Sequence, residues 1–122
     1  WGETEPNGDL ANYFNSGNGN MSLDVGSLPA GNSYLGASDI AGNVWEWCND
    51  KYDSEFYLES PGEDPVGPGG SISGTTRIVI RGGSWEFGPD YLRNTNRSNC
   101  KADLNIGRVT TYIGFRILKI NP

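Results

Sequence analysis

Turn-forming residues run the whole length of this chain. Eighteen glycines and seven prolines occur among its 122 residues, and Asn, Ser and Asp crowd the stretches between them. Proline removes a backbone donor and clashes inside a helix, while glycine loses more conformational freedom on ordering than any other residue. Such a chain is expected to form a loop-rich body with short strands, not a bundle of long helices. Its length suits one domain, or part of one, that leaves much of its surface wet.

The apolar residues concentrate in three short segments. Asp39 to Asp50 reads DIAGNVWEWCND. As a strand it would place Trp45 and Trp47 on one side and Val44, Glu46 and Cys48 on the other. Arg77 to Trp85 reads RIVIRGGSW, a β-branched run that stops at a glycine pair, as a strand entering a tight turn does. Tyr112 to Ile120, YIGFRILKI, alternates well enough for a terminal strand packed on one face. Between these, Trp1 to Asn20 reads as ordered loop and Met21 to Leu35 as connecting structure. Lys51 to Thr76, with SPGEDPVGPGGS, reads as a surface excursion, and Glu86 to Thr111 as irregular and polar.

A net charge of −6 argues against nucleic acid, whose affinity comes largely from Lys and Arg displacing counterions. No stretch approaches the ~20 apolar residues that a membrane-spanning helix needs. The chain opens at Trp1 instead of Met, so a cleaved or omitted upstream segment is expected. Two cysteines, Cys48 and Cys100, would close a long loop if they met in space. With no histidine and two cysteines, the usual zinc, haem and imidazole-based catalytic sites cannot be built from this chain alone.

Three groups of residues, in this order, resemble the formylglycine-generating-enzyme (sulfatase-modifying-factor) family. They are Trp1-Gly2 with Ala11-Asn12-Tyr13, then Gly42-Asn43-Val44-Trp45-Glu46-Trp47, then Arg81-Gly82-Gly83-Ser84-Trp85 with Gly114-Phe115-Arg116. RGGSW or GFR alone would be weak, but their order and spacing together with AGNVWEW are not. The resemblance implies an α+β, C-type-lectin-like fold with little helix, in agreement with the composition. It also implies that residues 1–122 are the C-terminal part of one such domain, whose N-terminal half is absent from this chain.

The resemblance further implies calcium. Family members wrap a calcium ion in the segment matched by Asp39 to Glu46; here the ligands would be the Asp39 and Glu46 carboxylates and the Gly42 and Val44 carbonyls. These are hard oxygen donors of the kind calcium takes, and tighter octahedral geometry makes magnesium the poorer fit. A second family site begins at the match to Asn12 and Tyr13, with Asn15, Asn18 or Asn20 left to complete it. The competing reading has Asp39 capping a turn and Glu46 pairing with Arg81 or Arg116, because a charge within an apolar run needs a partner.

Catalytic relatives bind copper through two active-site cysteines, soft ligands suited to Cu(I). Counted from RGGS, those positions are Phe87 and Leu92 here, and neither Cys48 nor Cys100 falls on them. The segment matching the family's substrate groove carries Trp85, Phe87, Tyr91, Arg93 and Arg97, aromatic and arginine side chains that commonly anchor ligands. Alternatively, Trp85 and Leu92 are core residues and the arginines bond loop carbonyls. The leading expectation is a non-catalytic, calcium-stabilised binding or structural module outside the cytoplasm, in a bacterial surface or lipoprotein assembly. Its partner would be a protein or peptide, or the missing half of the domain. The alternative is an enzyme, of the formylglycine-generating or iron-dependent oxygenase type, whose remaining residues lie upstream.

Overall fold

The computed structural model describes residues 1–103 and 111–117. A four-stranded sheet organises them: β1 (Trp45–Lys51), β2 (Arg77–Arg81), β3 (Ser98–Lys101) and β4 (Ile113–Phe115), in the spatial order β3-β2-β1-β4. β2 is antiparallel to both β1 and β3, whereas β4 lies parallel to β1. Among the described residues helix is confined to one turn, α1 (Phe56–Glu59), and to 3-10 turns at Pro29–Gly31 and Pro89–Leu92. The mixed sheet and sparse helix match the expected fold class.

Each of the three apolar segments holds a shorter strand than expected, and β1 also takes in Lys51 from the following stretch. β1 starts only at Trp45 because Asp39, Gly42 and Asn43 have φ of +54°, +84° and +63°, left-handed values that bend the chain out of an extended path. β2 ends at Arg81 because Gly82 and Gly83 turn away at φ +96° and +76°. The terminal strand is Ile113–Phe115, shorter than expected: Tyr112 is in a turn, Arg116 and Ile117 leave the strand, and 118–120 lie outside the described residues. Two elements were not expected. Ser98–Lys101 is built from residues poor in β-propensity and becomes a strand by pairing with β2, Ile78 opposite Cys100 and Val79 opposite Asn99. The short α1 sits just ahead of the Pro- and Gly-rich part of the 51–76 loop.

β2 is the centre of the core. Ile78, Val79 and Ile80 are all buried. Since successive side chains of a strand point to opposite faces, both faces of the sheet must be covered there. Trp45, 1% exposed, stands beside them on β1. It meets Phe87 and Tyr91 edge-on at 5.7 and 6.0 Å, and Phe87 in turn meets Tyr112 at 5.8 Å.

The strand order rules out the disulfide. Cys48 lies on β1 and Cys100 on β3, with β2 between them. Two inter-strand steps are about 9.5 Å, beyond the ~7 Å that a bridge spans. The pairs Trp47–Ile80 and Ile78–Cys100 set Cys100 on the face of Trp47, while Cys48 falls in the irregular stretch of β1 between Trp47 and Lys51. Both thiols are free, and partial burial pushes each above its ordinary value of 9.0.

Candidate functional site

The bend ahead of β1 is held from several directions by Asn43. It is 6% exposed. Its N–H donates to the Asn12 carbonyl at 2.8 Å, and its own carbonyl accepts from Trp85 N–H at 2.9 Å. Its carboxamide pairs with Leu23 as a strand neighbour would: Leu23 N–H donates to Oδ1 at 2.9 Å, and Nδ2 donates to the Leu23 carbonyl at 3.1 Å. Gly42 lies so close to Asn12 that a Cβ there would be 2.5 Å from the Asn12 carbonyl oxygen. One Gly-Asn pair therefore joins the segments around residues 12, 23 and 85 to the start of β1. Sequence reasoning passed over Asn43. The available signal was an asparagine, tolerant of left-handed backbone, directly after a glycine and before a strand.

Around this joint lie the expected calcium ligands. Asp39 accepts Gly26 N–H on Oδ2 at 2.7 Å, capping a loop as the competing reading anticipated. Glu46 pairs with an arginine, and of the two candidates it is Arg116. Arg116 Nε donates to Oε2 at 2.9 Å and its Nη2 to Oε1 at 2.6 Å, a forked pair. The same guanidinium reaches the Ser38 carbonyl at 2.9 Å and the Asp39 carbonyl at 3.4 Å. The hydrogen bond to Glu46 raises the Arg116 pKa; partial burial opposes it, and the charges of Glu46 and Asp39 add to the rise. Arg81 faces Glu46 in the β1–β2 register but sends its guanidinium to the Asn94 and Asn96 carbonyls and the Tyr57 hydroxyl.

Among the described residues no three His, Cys, Asp or Glu side chains come together, so a cation here would have to draw on main-chain carbonyls as well as carboxylates. A carboxylate offers about four lone-pair sites. Glu46 therefore keeps capacity beyond the Arg116 fork, and the Asp39 carboxylate keeps capacity beyond its bond from Gly26 N–H. At the second position, Asn12 is 1% exposed and its Nδ2 donates to the Met21 carbonyl at 2.8 Å. Its Oδ1 is buried with no donor among the described residues. A buried acceptor left unpaired costs about 1–3 kcal/mol, and a bound cation is one way to satisfy it. Tyr13 belongs to the same segment, its hydroxyl donating to the Pro6 carbonyl. Asn20 Oδ1 accepts Asn15 N–H, while Asn18 donates through Nδ2 to the Gly8 carbonyl.

The positions of the family's thiols hold packed side chains. Leu92 is 7% exposed and lies under Gly83, where a Cβ would come within 3.0 Å of Leu92 Cδ2. Phe87 belongs to the aromatic cluster on Trp45, and its carbonyl accepts Phe14 N–H at 3.0 Å. Of the other expected ligand-binding residues, Trp85 is half-buried with Nε1 donating to the Thr111 carbonyl at 3.3 Å. Arg97 is committed within the chain, stacked on Tyr52 and Tyr57 at 4.8 and 4.4 Å and donating to the Asp53 carbonyl at 2.7 Å. Tyr91 and Arg93 remain accessible, Arg93 in an exposed pair with Asp90. Beside them opens a groove of about 930 Å³, lined among others by Trp1, Glu3, Ile40, Pro89, Leu92 and Arg93.

A small mixed sheet, a left-handed Gly-Asn bend feeding its central strand and a Gly-Gly turn beside it define a domain of the formylglycine-generating-enzyme type. The family model for the sulfatase-modifying factor enzyme 1-like domain matches residues 2–120, and the chain belongs to that family. It is 40% identical over 109 residues to serine/threonine-protein kinase Pkn1 of Chlamydia trachomatis serovar L2, covering 89% of this chain and 16% of that protein. It is 42% identical over 84 residues to the formylglycine-generating enzyme of Streptomyces coelicolor, covering 66% of this chain and 24% of the enzyme. The solved structure of PvdO from Pseudomonas aeruginosa matches with a TM-score of 0.66 at 26% identity, over 93% of this chain and 40% of PvdO. The chain thus spans under a quarter of the length of either curated relative.

Proposed function

We propose that this chain is part of a non-catalytic, calcium-stabilised binding or structural module of the sulfatase-modifying-factor family, acting outside the cytoplasm. The observation that carries the non-catalytic reading is the pair Phe87 and Leu92. A copper–thiolate site needs two sulfurs at those positions, and a packed aromatic and a buried aliphatic side chain supply none. Cys48 and Cys100, on strands separated by β2, make no substitute pair.

Calcium is supported by the oxygen donors of Asp39, Gly42, Val44 and Glu46 and by the orphaned Asn12 Oδ1. Affinity in the ~10⁻⁴–10⁻³ M range, typical of extracellular modules, would suit a site already partly neutralised by Arg116. The groove beside Tyr91 and Arg93 supports a binding role, with a protein or peptide segment, or the rest of the family domain, as its occupant.

The test offers the full-length protein a cysteine-containing sulfatase peptide with copper and oxygen, and follows peptide oxidation by mass spectrometry. No oxidation is expected; oxidation that survives replacement of Cys48 and Cys100 would overturn the reading. The partial coverage of the named relatives favours a second reading, in which other segments of a longer protein supply catalysis of the formylglycine-generating or oxygenase kind. Activity confined to the longer protein and unaffected by changes at Phe87 or Leu92 would favour it.

A further inference from the structure

We propose that Arg116 is the resident counter-cation of the Asp39–Glu46 segment, holding its oxygens together without metal and thereby weakening their grip on calcium. The proposal rests on the calcium reading above. Arg116 enters from the end of β4, 70 residues from Glu46 in sequence. Four oxygens surround its guanidinium: both of the Glu46 carboxylate and the carbonyls of Ser38 and Asp39. Of these oxygens the Glu46 carboxylate is itself an expected calcium ligand, whereas Asp39 would reach the metal through its side chain. The Glu46 carboxylate that a metal would need is therefore already held by a positive charge.

The geometry decides the sign of the coupling. The pair is only partly exposed, with 42% of the Arg116 and 25% of the Glu46 side chain accessible, so water does not fully screen it. A divalent cation on the remaining Glu46 lone pairs would sit within a few ångströms of the guanidinium and be repelled by it. A forked arginine also takes one lone pair on each carboxylate oxygen, which a lysine cannot do with the same geometry. Coupling between two sites is reciprocal, so calcium must loosen Arg116 as far as Arg116 weakens calcium. Because Gly114 is in register with Glu46, the same ion pair also fastens β4 beside β1 when no metal is bound.

The experiment titrates calcium into the full-length chain, the Arg116→Gln and Arg116→Lys variants, and Glu46→Gln. Calorimetry is paired with melting temperatures in chelator and in saturating calcium. The binding event that Glu46→Gln removes is the one assigned to this site. Arg116→Gln is expected to bind there about tenfold more tightly than the wild type, with Arg116→Lys in between. Arg116→Gln should also melt lower in chelator and gain more from calcium. If Arg116→Gln fails to fold, Arg116→Lys carries the test, with tighter binding than wild type still required. Wild type and variants that bind equally, or variants that bind more weakly, overturn the role of Arg116 alone. A wild type that takes up no calcium and melts unchanged overturns the calcium reading and this inference with it.

Discussion

Replacing Gly42 by alanine should destabilise the chain by about 2–5 kcal/mol, a figure assembled from two independent terms. Gly42 has φ +84°, where an L side chain costs about 1–2 kcal/mol. A Cβ would also meet the Asn12 oxygen, nitrogen and carbonyl carbon at 2.5, 3.0 and 3.1 Å. These are backbone atoms, so no rotamer change relieves the clash and the two segments must part. Parting stretches the 2.8 Å bond from Asn43 N–H to the Asn12 carbonyl, and a buried group losing its partner costs about 1–3 kcal/mol. At roughly 4 °C per kcal/mol for a chain of this size, the melting temperature should fall by about 8–20 °C. Gly17→Ala is the matched control: φ is +96° but nothing lies within 4 Å of its Cβ, so only the conformational cost applies. Thermal and urea unfolding at one fixed calcium concentration would measure both, since ligand concentration moves apparent stability. Equal losses in the two variants would refute the argument that Gly42 is required by its approach to Asn12.

Leu92→Ala should cost about 2–5 kcal/mol in urea unfolding because Leu92 is buried, whereas the 84%-exposed Leu58 should tolerate alanine with a loss of about 0.5 kcal/mol or less. Arg97→Ala loses two tyrosine stacks and a carbonyl bond and should cost about 1–2 kcal/mol, against about 0.5 kcal/mol for Arg93→Ala in its exposed pair with Asp90; equal losses would contradict the assignment of Arg97 to the scaffold. Alkylation of Cys48 and Cys100 in the native state should report midpoints above 9.0, burial being the leading cause. Their folded pKa values are raised, so their contribution to stability is complete below the unfolded-state value and is lost as pH rises from there through the folded value. Replacing both by alanine should flatten that alkaline decline, and an unchanged pH profile would refute the linkage.

Much of this fold is legible where chemistry is local. The Val-Trp-Glu-Trp and Arg-Ile-Val-Ile runs announce β1 and β2 because β-branched and aromatic residues fit a pleated, half-buried surface. β3 is not legible, since Ser98, Asn99, Cys100 and Lys101 form a strand only because β2 presents open backbone groups to them. The same limit applies at the candidate site. Asp39, Glu46 and Asn12 stand out as oxygen donors, but the choice of Arg116 over Arg81 for Glu46 rests on where β4 ends. Arg97 reads as a free binding arginine until Tyr52 and Tyr57 are seen to enclose it.

What the amino-acid order determined by itself is the inventory: a loop-rich chain, three apolar segments, a family-like set of oxygen donors, and Phe87 and Leu92 where thiols would be required. Tertiary structure decided which members of that inventory meet. It separated Cys48 from Cys100 by an intervening strand, made Asn43 the joint of three distant segments, buried Asn12 Oδ1 without a donor among the described residues, and brought Arg116 onto Glu46 across 70 residues. The physical reason is the range of the forces. Propensities and turn chemistry act over a few neighbouring residues, whereas ion pairing, desolvation and strand register depend on distances that exist only once the sheet has closed.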